Sequence, residues 1–83
     1  MKGRRSTTRR QTFLKAQAIC PEQMPLECLI TDMSETGARL QPADPLDIEM
    51  LPERFEVLVL KTGERRRVRV AWRGEMDMGV AFD

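Results

Sequence analysis

Four arginines fall within seven positions near the start of the chain, Arg4, Arg5, Arg9 and Arg10, and of these Arg5 and Arg9 form an RxxxR spacing. A guanidinium is a permanently charged planar fork that grips a phosphate or the edge of a base through two parallel hydrogen bonds, which an ammonium does not reproduce. A second constellation, Asp32-Met33-Ser34-Glu35-Thr36-Gly37, offers a carboxylate acceptor, a hydroxyl and a residue without a Cβ in a DxSxxG pattern. Each motif also has a purely structural explanation. The arginines suit a solvated basic tail, and Asp, Ser and Gly at these offsets suit a turn in which side chains bond nearby backbone N–H groups and glycine supplies a positive φ.

Composition narrows the chemistry. The 83 residues contain no histidine and no tyrosine, which removes Ser-His-Asp and Cys-His catalysis and every histidine-ligated metal site. Two cysteines, Cys20 and Cys28, cannot complete a tetrahedral zinc site, do not form a CxxC pair, and read as two buried thiols in a reducing compartment. The carboxylates are scattered through polar segments without an apolar pocket to raise a pKa. The chain reads as a binder without a metal or other cofactor, not as an enzyme. The net charge of +1 hides an asymmetry: residues 1–20 hold six basic groups and no acid, while the remainder holds eight basic groups against 13 acidic ones. A basic arm on an acidic body points to an anionic partner. No apolar run approaches the roughly 20 residues of a membrane-spanning helix, and the basic start lacks a signal peptide's continuous apolar region, so a cytoplasmic location without membrane insertion is expected.

The elements that must position these residues are short strands. At 83 residues the chain is a single domain. Residues 1–12 have no apolar side chain after Met1 and read as a flexible arm, leaving 13–83 as the folded body. A first strand is expected from Phe13 to Cys20, a turn at PEQMP, and a second strand from Leu26 to about Met33. ARLQ makes a short third strand, and IEMLPER suits one helical turn at most. FEVLVL (55–60) and RRRVRVAWR (65–73) form a hairpin through KTGE, with Gly63 at the turn, and GVAF (79–82) closes the series. In the fifth strand Val68, Val70 and Trp72 alternate with arginines, which predicts an inward face ending on Trp72. Phe13, Phe55 and Phe82 likewise suit the core. Six strands with short connections predict an all-β antiparallel barrel, which removes exposed edges.

An antiparallel first hairpin centred near Gln23 sets Phe13 opposite Met33 to Glu35, so the arm emerges beside the DxSxxG turn and both motifs contribute to one site. The residue types there fit a guanine nucleotide. Arginine bonds guanine O6 and N7 or clamps a phosphate, Asp32 accepts from the guanine N1–H and exocyclic amine, Ser34 donates to phosphate, and Gly37 permits close backbone approach.

RxxxR, a hairpin, and DxSxxG continued as SETGARL, followed by RRRVRVAWR and GVAF, together resemble the PilZ domain, particularly its small stand-alone members from alphaproteobacteria. The likeness runs from Arg4 to Phe82. It implies a six-stranded barrel without a C-terminal helix that binds the bacterial second messenger cyclic di-GMP. Arg5 and Arg9 would grip guanine and phosphate, Asp32, Ser34 and Gly37 would shape the pocket, and Arg4, directly before RxxxR, would favour capture of two stacked ligand molecules. The implied receptor signals by ordering its N-terminal arm and passes its effect to a protein partner. Two other readings are a nucleic-acid-binding small barrel, with arginines 65, 66, 67, 69 and 73 as a phosphate track, and a PilZ-like protein adaptor that binds no nucleotide. The first lacks stacking residues if the aromatics are core, and intact motifs speak against the second.

Overall fold

The computed structural model describes residues 10–83, with Arg10 and Gln11 described by backbone alone. Six antiparallel strands run β1 (Arg10–Ile19), β2 (Leu26–Met33), β3 (Gly37–Pro42), β4 (Arg54–Val59), β5 (Arg65–Arg73) and β6 (Met78–Phe82), with a four-residue helix α1 (Asp47–Met50) between β3 and β4. They close into a barrel in the order β1-β2-β3-β6-β5-β4, β4 pairing back onto β1. The expected all-β barrel is the observed architecture. Among the described residues no helix is long and apolar enough to cross a membrane.

Small and branched side chains fill the interior because the barrel is narrow. Ala16, Ala18, Ile30, Leu40, Val68 and Met78 are each no more than 1% exposed, and no polar or charged side chain is among the buried residues. Helix α1 closes one end by burying Ile48, and Leu51 follows it inward. Arg73 holds this plug by donating from its guanidinium to the Ile48 carbonyl oxygen. The β4–β5 turn carries Gly63 at φ +76°, as its sequence predicts, and closes with the Val59 N–H donating to the Glu64 carbonyl at 2.9 Å.

Two boundaries differ from expectation. The first strand begins at Arg10 instead of Phe13, so residues 10–12 of the expected arm belong to the barrel. Backbone pairing of Arg10 with Met33 and Gln11 with Asp32, plus a bond from the Thr12 hydroxyl to the Ile30 carbonyl, replaces the apolar anchoring that the composition lacks. Residues 1–9, the rest of the expected arm, lie outside the described residues. The first hairpin is centred on Glu22, which takes φ +64°, one residue before the expected Gln23. Arg10, not Phe13, therefore stands opposite Met33.

Three ladder irregularities decide which side chains face outward. Between β1 and β2 the register slips from Gln11/Asp32 to Leu14/Ile30, between β2 and β3 from Ile30/Leu40 to Asp32/Arg39, and between β5 and β6 from Val70/Val80 to Trp72/Gly79. Each slip inserts one extra residue in the earlier strand. Since side chains alternate with period two, one extra residue exchanges the faces of everything beyond it. Trp72 is consequently 45% exposed, correcting its assignment to the core, and Arg73, which pairs with Met78, is exposed at the strand end. Phe13 is also corrected, being 77% exposed, whereas Phe55 is buried as expected.

Cys20 and Cys28 are free and buried, and loss of hydration pushes both thiols up, Cys28 to about 11 from about 9. Between those values the unfolded chain has released the proton that the folded chain retains, so stability falls as pH rises. Urea unfolding from pH 8 to 11 will show this decline, with a Cys28 share of up to about 1.4 kcal/mol per pH unit. Cys28→Ala flattens the profile by that share.

Candidate functional site

The slips align a row of residues across five strands. Gln11 pairs with Asp32, Asp32 with Arg39, Arg39 with Gly79 and Gly79 with Trp72. Without the extra residue at Thr31, Asp32 would share the inward parity of Cys28 and Ile30, in a core that holds no charge. Instead it is half-buried beside Arg39, whose side chain is 45% exposed. The row thus carries a carboxylate, a guanidinium, a stretch of bare backbone at Gly79 and an indole.

Beside it stands the Ser34–Gly37 turn. The Ser34 N–H donates to the Gly37 carbonyl at 2.9 Å, and the Thr36 N–H donates to Ser34 Oγ at 3.3 Å. Ser34 Oγ also lies 3.3 Å from Thr36 Oγ1 and 3.4 Å from the Gly37 carbonyl, long contacts that an incoming acceptor can replace. Thr36 is anchored to β6 through its carbonyl, which accepts from the Phe82 N–H at 2.8 Å. The turn is therefore a structural device as well as a source of polar groups. Its glycine serves differently from the sequence reading. Among the described glycines Gly63 alone has positive φ, so Gly37 is not needed for a left-handed turn. It is needed for space, because a Cβ there would lie 2.3 Å from the Val80 carbonyl oxygen across the β3–β6 ladder.

A groove of about 260 Å³ runs along this surface, lined by Ser34, Thr36, Gly37, Arg39, Trp72 and Gly79 among others. The Trp72 indole lies over Gly79, where a Cβ would come within 2.1 Å of Nε1. Arg39 reaches Asp77 at 3.8 Å, a surface pair of small energetic weight that leaves the guanidinium open to another acceptor. A larger, more open depression of about 500 Å³ lies elsewhere, lined by Ile19, Phe55, Val68, Arg54 and Arg67 among others, and among the described residues it contains none of the DxSxxG motif. Among the described residues no cluster of Cys, Asp and Glu could hold a metal ion.

No family model matches this chain, and no curated protein matches it. The site is thus defined by geometry. Of the sequence-predicted residues, Ser34 and Gly37 line the groove, and Asp32, which is not part of its lining, pairs with Arg39, which is. Arg4, Arg5 and Arg9 lie outside the described residues, although Arg9 directly precedes Arg10, which pairs with Met33 between Asp32 and Ser34. Arg39, Thr36 and Trp72 line the groove without being candidate site residues in the sequence, where Thr36 is only a spacer of the motif and Trp72 suits the core. Arg39 and Thr36 sit within or next to the quoted motif, so their proximity was available, but Trp72 reaches the outer wall only through the β5 irregularity.

Two glycine substitutions separate scaffold from surface. Gly37→Ala must displace backbone and is expected to lower stability by about 1–3 kcal/mol in urea unfolding. Gly79→Ala meets a side chain that can swing away, so its stability loss is smaller, while the emission of Trp72, the only tryptophan, shifts toward longer wavelength as the indole lifts into water.

Proposed function

We propose that this chain is a cyclic di-GMP receptor of PilZ type, a binder without catalytic groups. The observation that carries the reading is the alignment of Asp32, Arg39, Gly79 and Trp72 on one outer row, beside Ser34 and the backbone of Arg10, where β1 begins. A ligand with guanine bases and a phosphodiester ring needs an acceptor for N1–H and the exocyclic amine, cationic forks for phosphate and for O6/N7, and a flat surface for the base. Asp32 supplies the acceptor. Arg5 and Arg9 supply the forks, Ser34 a hydroxyl donor, and Gly37 the close strand approach that brings the turn to the groove. Trp72 over the bare Gly79 backbone offers the flat surface.

The phosphate-track alternative is weakened by pairing on β5. Arg65 meets Glu56 at 3.4 Å, Arg66 meets Glu64 at 3.4 Å and lies over the Phe82 ring at 4.1 Å, and Arg69 meets Asp83 at 3.5 Å. Arg73 is committed to the Ile48 carbonyl. A polyanion on this strand would compete with carboxylates at three of its five arginines, Arg65, Arg66 and Arg69. Exposure of Trp72 and Phe13 does supply stacking surfaces the sequence reading denied, but Trp72 belongs to the compact groove and not to an extended track.

Signalling in this proposal comes from the arm. Six basic groups in the first 20 residues cannot by themselves offset about 1–2 kcal/mol of backbone entropy per ordered residue, whereas ligand phosphates offer several charge-assisted bonds at once. The ordered arm then presents a different surface to a protein partner.

Calorimetry with cyclic di-GMP is the direct test, and quenching of Trp72 fluorescence is expected in parallel. Asp32→Ala and Arg9→Ala should each weaken binding tenfold to hundredfold, about 1.5–3 kcal/mol, without changing the unfolding midpoint appreciably. Unchanged affinity in both variants rejects the site. The same titration reads stoichiometry: two ligands per chain, reduced to one by Arg4→Ala, is the outcome that assigns Arg4 to a second nucleotide.

A further inference from the structure

We propose that the surface around Phe13 docks an acidic segment of a protein partner, which seats a bulky apolar side chain between Phe13 and Leu60 and sets carboxylates against Lys15 and Lys61. The inference goes beyond nucleotide binding and does not depend on it.

Phe13 is 77% exposed and Leu60 47% exposed, and with Leu14, Lys15 and Lys61 they line one shallow depression of about 410 Å³. The patch is preformed. The Leu60 N–H donates to the Lys15 carbonyl at 3.0 Å, tying the β4–β5 connection to β1. Burying a phenylalanine is strongly favourable, and a chain that leaves this one in water retains that stabilisation for association. The position is also built by an irregularity, since Thr12 and Phe13 carry the extra residue of β1, and such bulges re-aim side chains at functional surfaces.

Charge selects the occupant. No carboxylate lines the depression, and neither lysine forms an ion pair among the described residues. The chain's own start, MKGRRSTTRR, is basic and would be repelled. A two-fold contact between copies would set lysines against lysines. An anionic membrane gains little from each lysine, and two lysines with one phenylalanine make a weak anchor. The surface is also a hollow, suited to receiving a side chain. An acidic protein segment with an apolar anchor satisfies both features. Its seat begins two residues beyond Gln11, which pairs with Asp32.

The test titrates the full chain, without nucleotide, with a synthetic peptide carrying a central Trp-Leu pair flanked by glutamates, and with the same peptide bearing lysines instead. The acidic peptide is expected to shift the amide resonances of Phe13, Lys15, Leu60 and Lys61, and the lysine peptide to leave them in place. Phe13→Ser, and the pair Lys15→Glu with Lys61→Glu, should each weaken binding roughly tenfold or more, with the remaining spectrum reporting an intact barrel. Resonances unmoved by the acidic peptide, equal response to both peptides, binding only to vesicles containing phosphatidylglycerol, or self-association lost in Phe13→Ser each overturn the proposal. Cyclic di-GMP affinity of Phe13→Ser, measured separately, stays at the parent value. Failure at the patch and failure at the groove are thereby distinguished.

Discussion

Closure of the strand ladder is the constraint on which everything else rests. With β4 returned to β1, side chains have two faces available, a narrow interior filled by alanine, valine, isoleucine, leucine and methionine, and an outer wall. A charge inside such a core costs several kcal/mol unless it is paired. The protein meets this constraint by inserting single residues, at Thr31 in β2 and Ala71 in β5, that exchange the faces beyond them. Asp32 and Trp72 reach the outer wall by the same device, and the ladder then brings them into one row with Arg39 and Gly79 between them. The site is a consequence of register.

That device has a structural counterpart at the barrel end. Arg73, paired with Met78 beyond the irregularity that turns Trp72 out, stays exposed at the end of β5 and reaches from there to the carbonyl of Ile48. Helix α1, too short to be stable alone, is fixed over the barrel end by that bond and by the burial of Ile48 and Leu51. One inserted residue therefore serves both the outer groove and the closure of the core.

Charge organisation follows the same separation. Three arginines of β5, Arg65, Arg66 and Arg69, meet carboxylates on neighbouring segments, Glu56, Glu64 and Asp83. Arg39 has one loose pairing with Asp77, and Lys15 and Lys61 have no ion pair among the described residues. The lysines of the Phe13 patch thus have no carboxylate lining the same depression.

Much of the barrel is legible in the sequence because period-two alternation and turn residues are local signals. β2, the β4–β5 hairpin with Gly63 and the short β6 stand close to where their residues place them. The adjacency of Arg10 to the DxSxxG turn also follows from a hairpin of that length, even with its centre one residue away. Local pattern misleads at Trp72 and Phe13, which were read as core. The alternation Val68, Val70, Trp72 is continuous in sequence, and only pairing with β6 reveals the extra residue at Ala71. Gly37 shows the same division: its lack of a Cβ is plain in the sequence, yet the reason for it, a carbonyl of Val80 on a strand more than 40 residues away, exists only once β3 and β6 are paired. Sequence alone determined the strands, the turns and the residue types available for phosphate and base recognition. The tertiary structure decided which of them share a face, because register between distant strands is set by how the closed ladder fits its interior and not by any one strand's own pattern.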